Sequence, residues 1–70
     1  MHIRLRVAEI IEERGITMAK LSRMSDLALN TIIAAVKKPE RAVSIETLEK
    51  ISRALNVPVT DLYEVLPDDS

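Results

Sequence analysis

The sequence predicts an all-α domain of five short helices, to which its two ends can add a small β ribbon. Three observations carry that expectation. The chain has 70 residues, enough for one domain with one core and too few for a separate catalytic domain. Its composition, 47% apolar and 30% charged, is that of a soluble globular domain and not of a disordered tail. Its apolar residues recur at three and four positions, in runs broken by residues suited to helix ends. A single domain over residues 1–66 is expected, with 67–70 as a flexible tail. A chain this short buries only about 60% of its unfolded surface, so it needs well-packed helices or association to be stable.

Each element has its own signal. Ile3, Leu5 and Val7 alternate with Arg4 and Arg6, the period of a half-buried strand. From about Arg6, the spacing of Val7, Ile10, Ile11 and Arg14 defines one helical face, and Gly15 supplies a left-handed stop, giving helix 1 near 6–14. Thr17 can cap helix 2, near 18–24, with Leu21 and Met24 on one face of a two-turn helix. Ser25 and Asp26 interrupt the pattern, and Leu27 is an apolar plug inside the turn. Helix 3 follows near 28–36 and stops before Pro39, because the residue before a proline resists helical geometry.

Residues 37–43 read as a loop, and Ser44 caps helix 4 near 45–55 through Leu48, Ile51 and Leu55, with Asn56 just beyond its end. Pro58 suits the first turn of a short helix 5, or Thr60 caps it; Leu62 and Tyr63 would lie within. Residues 63–67 alternate enough to pair with residues 2–5 as a ribbon.

Composition removes several functions. With no cysteine there is no disulfide frame, zinc knuckle or thiol nucleophile, and a lone His2 has no second histidine to share a metal with. One glycine cannot build a Walker loop or a dinucleotide fingerprint, so no cofactor is expected. Tyr63 is the only aromatic residue, which removes the stacking platforms used on single strands and favours a duplex as any nucleic-acid partner. No apolar run approaches the roughly 18 residues of a membrane span, and the amino terminus lacks the apolar stretch of a signal peptide. A cytoplasmic location with no membrane partner is expected. Glu12 and Glu13 are neighbours on a helix and point apart, so they read as a solvated face and no enzyme or small-molecule substrate is expected.

The net charge, ten cations against eleven carboxylates, is not that of a strongly basic nucleic-acid binder. Its distribution is uneven. Residues 14–44 hold six cations and two carboxylates, a balance of +4, whereas residues 45–70 hold two and six, a balance of −4.

Two short helices joined by a tight turn, then a loop and an amphipathic helix, form the layout of a helix-turn-helix domain. Thr17, Leu21, Ser22, Leu27, Thr31 and Ile32 stand in an order and spacing that resembles the phage repressor and Cro type, or Xre-like, helix-turn-helix family. The likeness continues through Pro39, the run Ser44-Ile45-Glu46-Thr47-Leu48, and Ala54-Leu55-Asn56-Val57, over roughly residues 6–63. It implies sequence-specific binding to double-stranded DNA, transcription regulation, and helix 3 in the major groove. It places Thr17 and Met18 against a phosphate at the start of helix 2. It also places Leu29, Asn30, Ile33 and Ala34 toward base edges, and Lys37, Lys38 and Arg41 on a loop that clamps the backbone.

The chain departs from the family pattern at several positions. Met18 replaces a commonly polar residue, Ala28 the usual serine cap of helix 3, and Asp26 the turn glycine. Leu29, Ile33 and Ala34 stand where polar readers are usual, so thymine methyls and groove shape are what such a face can recognise, with Asn30 able to bond adenine. Sites containing A·T pairs are therefore expected. A redesigned member would show such an apolar, alanine-rich helix 3, as would a natural one. Thr31 and Ile32 read as packing residues. The alternative function is a protein-binding or dimerisation module, with Leu29, Ile33, Ala34 and Val36 as its patch and a homodimer as one outcome.

Overall fold

A computed structural model describes residues 2–68. Its elements are strand β1 (His2–Leu5), helices α1 (Val7–Arg14), α2 (Met18–Ser25), α3 (Leu29–Lys37) and α4 (Ile45–Leu55), one 3-10 turn (Val59–Leu62) and strand β2 (Tyr63–Leu66). The expected tail at 67–70 is described only at Pro67 and Asp68; its last two residues lie outside the described range.

Helix ends follow local chemistry. Gly15 stops α1 at φ 66°. The Thr17 hydroxyl accepts from the Lys20 amide at 3.1 Å and starts α2. Asp26 ends α2 at φ 57°, a left-handed position that aspartate adopts more readily than most residues other than glycine. Ser44 Oγ accepts from the Thr47 amide at 3.1 Å to start α4, and Asn56 ends it at φ 55°.

The core is built from Val7, Ile11, Leu21, Ile32, Ile51, Leu55 and Leu62, all buried. Full burial of a side chain of this size stabilises by about 1.5–3 kcal/mol. Burial on α2 and α3 departs from the simple periodicity at two places. Met24 is 43% exposed, and Ser25 takes the buried place beside Leu21, its hydroxyl donating to the Leu21 carbonyl at 2.7 Å. A serine can be buried there because that bond satisfies its only donor. Val36, expected on the exposed patch of α3, packs against the core.

The fifth helix reduces to the single 3-10 turn. Its Asp61 amide donates to the Pro58 carbonyl at 2.9 Å, an i to i+3 bond, and Tyr63 already belongs to β2. Among the described residues the fold is thus mostly helical, with four α-helices where five were expected and a small two-stranded antiparallel sheet formed by the ribbon that the two ends could add. In that ribbon His2 faces Leu66, Ile3 faces Val65, Arg4 faces Glu64 and Leu5 faces Tyr63. The Leu5 amide donates outward to the Pro39 carbonyl at 2.7 Å, so the ribbon anchors the loop that leaves α3.

Candidate nucleic-acid interface

The turn between α2 and α3 is closed by two bonds. Ser22 Oγ donates to the Leu27 carbonyl at 2.6 Å, and the Leu27 amide donates to the Ser22 carbonyl at 3.2 Å. Leu27 packs against the core, as a plug in this turn should. With the turn fixed, α3 buries Ile32 and Ala35 and packs Val36 on the core. At 100° per residue, Asn30, Ala34 and Lys37 lie on the opposite side, with Ile33 at its flank and Leu29 further round, next to Val36. Leu29 is 43% exposed, Asn30 and Lys37 are exposed, and Ile33 and Ala34 are half-buried. Asn30 and Ala34 also line a shallow groove of about 330 Å³ with Thr31, Arg41, Val43 and Thr47. The four expected base-contact residues therefore span a continuous arc of α3 that runs from Leu29, beside the core-packed Val36, to the outward Asn30 and Ala34.

The expected phosphate contacts divide. Thr17 is exposed at the start of α2, but the Met18 side chain packs against the core, so only its backbone amide is available to an anion. The Lys20 and Leu21 amides are bonded to Thr17, which leaves those of Met18 and Ala19 without an intrahelical carbonyl. Lys37, Lys38 and Arg41 are all exposed, and the Arg41 amide donates to the Lys38 carbonyl at 3.0 Å to tighten their loop.

Ion pairing sorts the charges by location. Arg4 meets Glu9 at 2.9 Å, Arg4 and Arg6 each meet Glu64 at 3.8 Å, Lys50 meets Glu46 at 3.6 Å, and Arg53 meets Glu49 at 2.9 Å. The hydrogen bond from Arg4 holds the Glu9 carboxyl below its ordinary range. Arg14, part of the basic middle of the sequence, donates instead to the Leu55 carbonyl at the end of α4, where a cation suits the helix dipole. Among the described residues, no ion pair takes Lys20, Arg23, Lys37, Lys38 or Arg41. Glu40, the one carboxylate in the α3–α4 loop, is drawn to His2 Nε2 at 2.6 Å. Lys20 and Arg23 join the clamp cations in having no ion pair among the described residues, which the sequence does not reveal.

Among the described residues no three His, Cys, Asp or Glu side chains gather to hold a metal, and no helix is long and apolar enough to cross a membrane.

Two helices locked by a tight turn, the second turned outward beside unpaired cations, define a helix-turn-helix DNA-binding domain. The family model for the Cro/C1-type HTH DNA-binding domain matches residues 6–68, and the chain belongs to that family. Among curated proteins, a search returns no match. The family's description is of DNA binding and names no reaction.

Proposed function

We propose that the protein recognises duplex DNA by laying the outward face of α3 in the major groove, as a transcription regulator does. The observation that carries this reading is the segregation of charge: cations of the ribbon and of α4 are paired, while Lys20 and Arg23 of α2, Lys37 of α3 and Lys38 and Arg41 of the loop after it take no ion pair among the described residues. Unpaired cations give up little on meeting phosphates and release the counterions of the duplex.

The contacts divide by task. The amides of Met18 and Ala19, the Thr17 hydroxyl and Lys37, Lys38 and Arg41 hold phosphates and set the register. Leu29, Ile33 and Ala34 meet thymine methyls, and the Asn30 amide bonds the N6 and N7 of one adenine. The reading thus predicts sites with A·T pairs under the outward face.

Selection of bound duplexes from a random pool, run with wild type and with Asn30→Ala, tests the assignment. Wild type is expected to enrich A·T-containing sites with one position strongly adenine. The variant should lose discrimination at that position by about 1–3 kcal/mol and keep the rest. An unchanged profile removes Asn30 from base reading. Absence of duplex binding in wild type would favour the apolar face of α3 as a protein-binding surface.

A further inference from the structure

One short segment of chain separates the outward arc of α3 from the terminal ribbon. On one side Arg41, Ala42 and Val43 line the shallow groove that holds Asn30 and Ala34. On the other side the same three residues line a second groove, of about 670 Å³, with Ile3, Leu5, Ile45, Leu48, Val59 and Tyr63 around it. Sites for small molecules have this size and this character, mostly apolar with a few placed polar groups. Ile45 is 82% exposed and Ile3 51%, so two apolar walls of the groove meet water in the chain alone.

The charged and titratable side chains at this groove, besides the Tyr63 phenol, are His2, Glu40 and Arg41. Glu40 is engaged by His2 Nε2 at 2.6 Å, whereas Arg41 is exposed and takes no ion pair among the described residues. A guanidinium left open at the edge of an apolar groove suits an organic acid, because it can meet both oxygens of one carboxylate. The Glu40 carboxylate beside it opposes a second negative charge on the same head. The ligand chemistry that fits is therefore a hydrocarbon chain ending in a single negative charge.

We propose that the groove binds a free medium-chain monocarboxylate, its chain over Ile3 and Ile45 and its head on Arg41, and that the bound acid weakens the hold on duplex DNA. Each methylene fully covered raises affinity about fourfold, so several are needed and acetate is too short. The effect on DNA rests on the proposed function, in which Arg41 clamps a phosphate. One guanidinium paired with a carboxylate no longer neutralises a phosphate, and the acid brings a negative charge to the segment that also lines the groove of Asn30 and Ala34. The ligand is held and released unchanged, as a regulator of binding.

Titration of the full chain with octanoate, read by amide chemical shifts and by anisotropy of a labelled duplex, tests both parts, with 1-octanol and acetate as controls. Octanoate below its micellar range is expected to shift the amides of Ile3, Ala42, Ile45 and Tyr63. It should bind at least about threefold more tightly than 1-octanol, and at least about tenfold more tightly than acetate. At saturation it should weaken duplex binding at least about fivefold, where acetate at equal concentration does not. Ile45→Ser, with circular dichroism confirming its fold, should bind octanoate about tenfold more weakly and keep the wild-type affinity for duplex. Without duplex present, Arg41→Gln should erase the preference for octanoate over 1-octanol, and it decides if Ile45→Ser fails to fold. No binding of octanoate, a preference unchanged in Arg41→Gln, or full binding in folded Ile45→Ser would overturn the site. Duplex affinity indifferent to octanoate would overturn the coupling. Octanoate binding as expected in a chain that binds no duplex would overturn the DNA reading and uphold the site. Duplex binding without octanoate binding would overturn this proposal alone.

Discussion

Helices α3 and α4 differ in nearly every feature that stabilises a helix. α4 has a serine cap, an acidic first turn, a left-handed asparagine at its end, the Glu46–Lys50 and Glu49–Arg53 pairs along its exposed side, and Arg14 on its Leu55 carbonyl. α3 has no side-chain cap at Ala28, no ion pair among the described residues, and leucine and isoleucine on its outward side. Both nevertheless bury an isoleucine completely, Ile32 in α3 and Ile51 in α4. The contrast teaches that tertiary packing holds α3, while its surface is left to something outside the chain. The charges of α4 are satisfied within α4 itself.

The largest expected effect tests what the two helices share. Ile32→Ala and Ile51→Ala should each cost about 2–5 kcal/mol in urea unfolding, because each removes a fully buried side chain and leaves a cavity. A much smaller loss at Ile32 would break the comparison by showing that α3 is not packed as α4 is.

A smaller pair of changes sharpens it. Ser44→Ala should destabilise by about 1 kcal/mol, since the Thr47 amide loses its acceptor, while Ala28→Ser should stabilise by about the same amount by supplying the absent cap. Opposite signs in the unfolding midpoint are the expected outcome. Equal signs would mean that the two helix starts do not differ as described.

The same contrast explains what is legible in the sequence. The helix stops at Gly15 and Asn56 and the caps at Thr17 and Ser44 are local chemistry, and the structure has each in that role. The ribbon forms with residues 2–5 against 63–66, although three alternating residues are a weak signal. Periodicity misplaces Met24 and Val36 because helices of eight or nine residues show barely two turns of it. The sequence also does not reveal that Ser25 satisfies its hydroxyl on the preceding turn and can be buried. The segment around Leu62 and Tyr63 is too short for an α-helical bond once Tyr63 joins the sheet.

Within the interface, periodicity alone puts Leu29, Asn30, Ile33 and Ala34 on one continuous arc of α3. The packing of the partly buried Met18 against the core, the Arg14 bond to Leu55 and the lack of an ion pair for Lys20 among the described residues depend on neighbours distant in sequence, so only the folded chain reveals them.

The most direct measurement of the central claim is the salt dependence of duplex binding for wild type and for a variant with Lys37, Lys38 and Arg41 all changed to alanine. Log affinity against log salt should fall steeply for wild type, and the variant's slope should be shallower by about 2.7, at about 0.9 for each phosphate no longer neutralised. Its fold should be unchanged, since none of the three cations takes part in an ion pair among the described residues. A slope near zero for wild type, or the same slope in both proteins, would contradict the account.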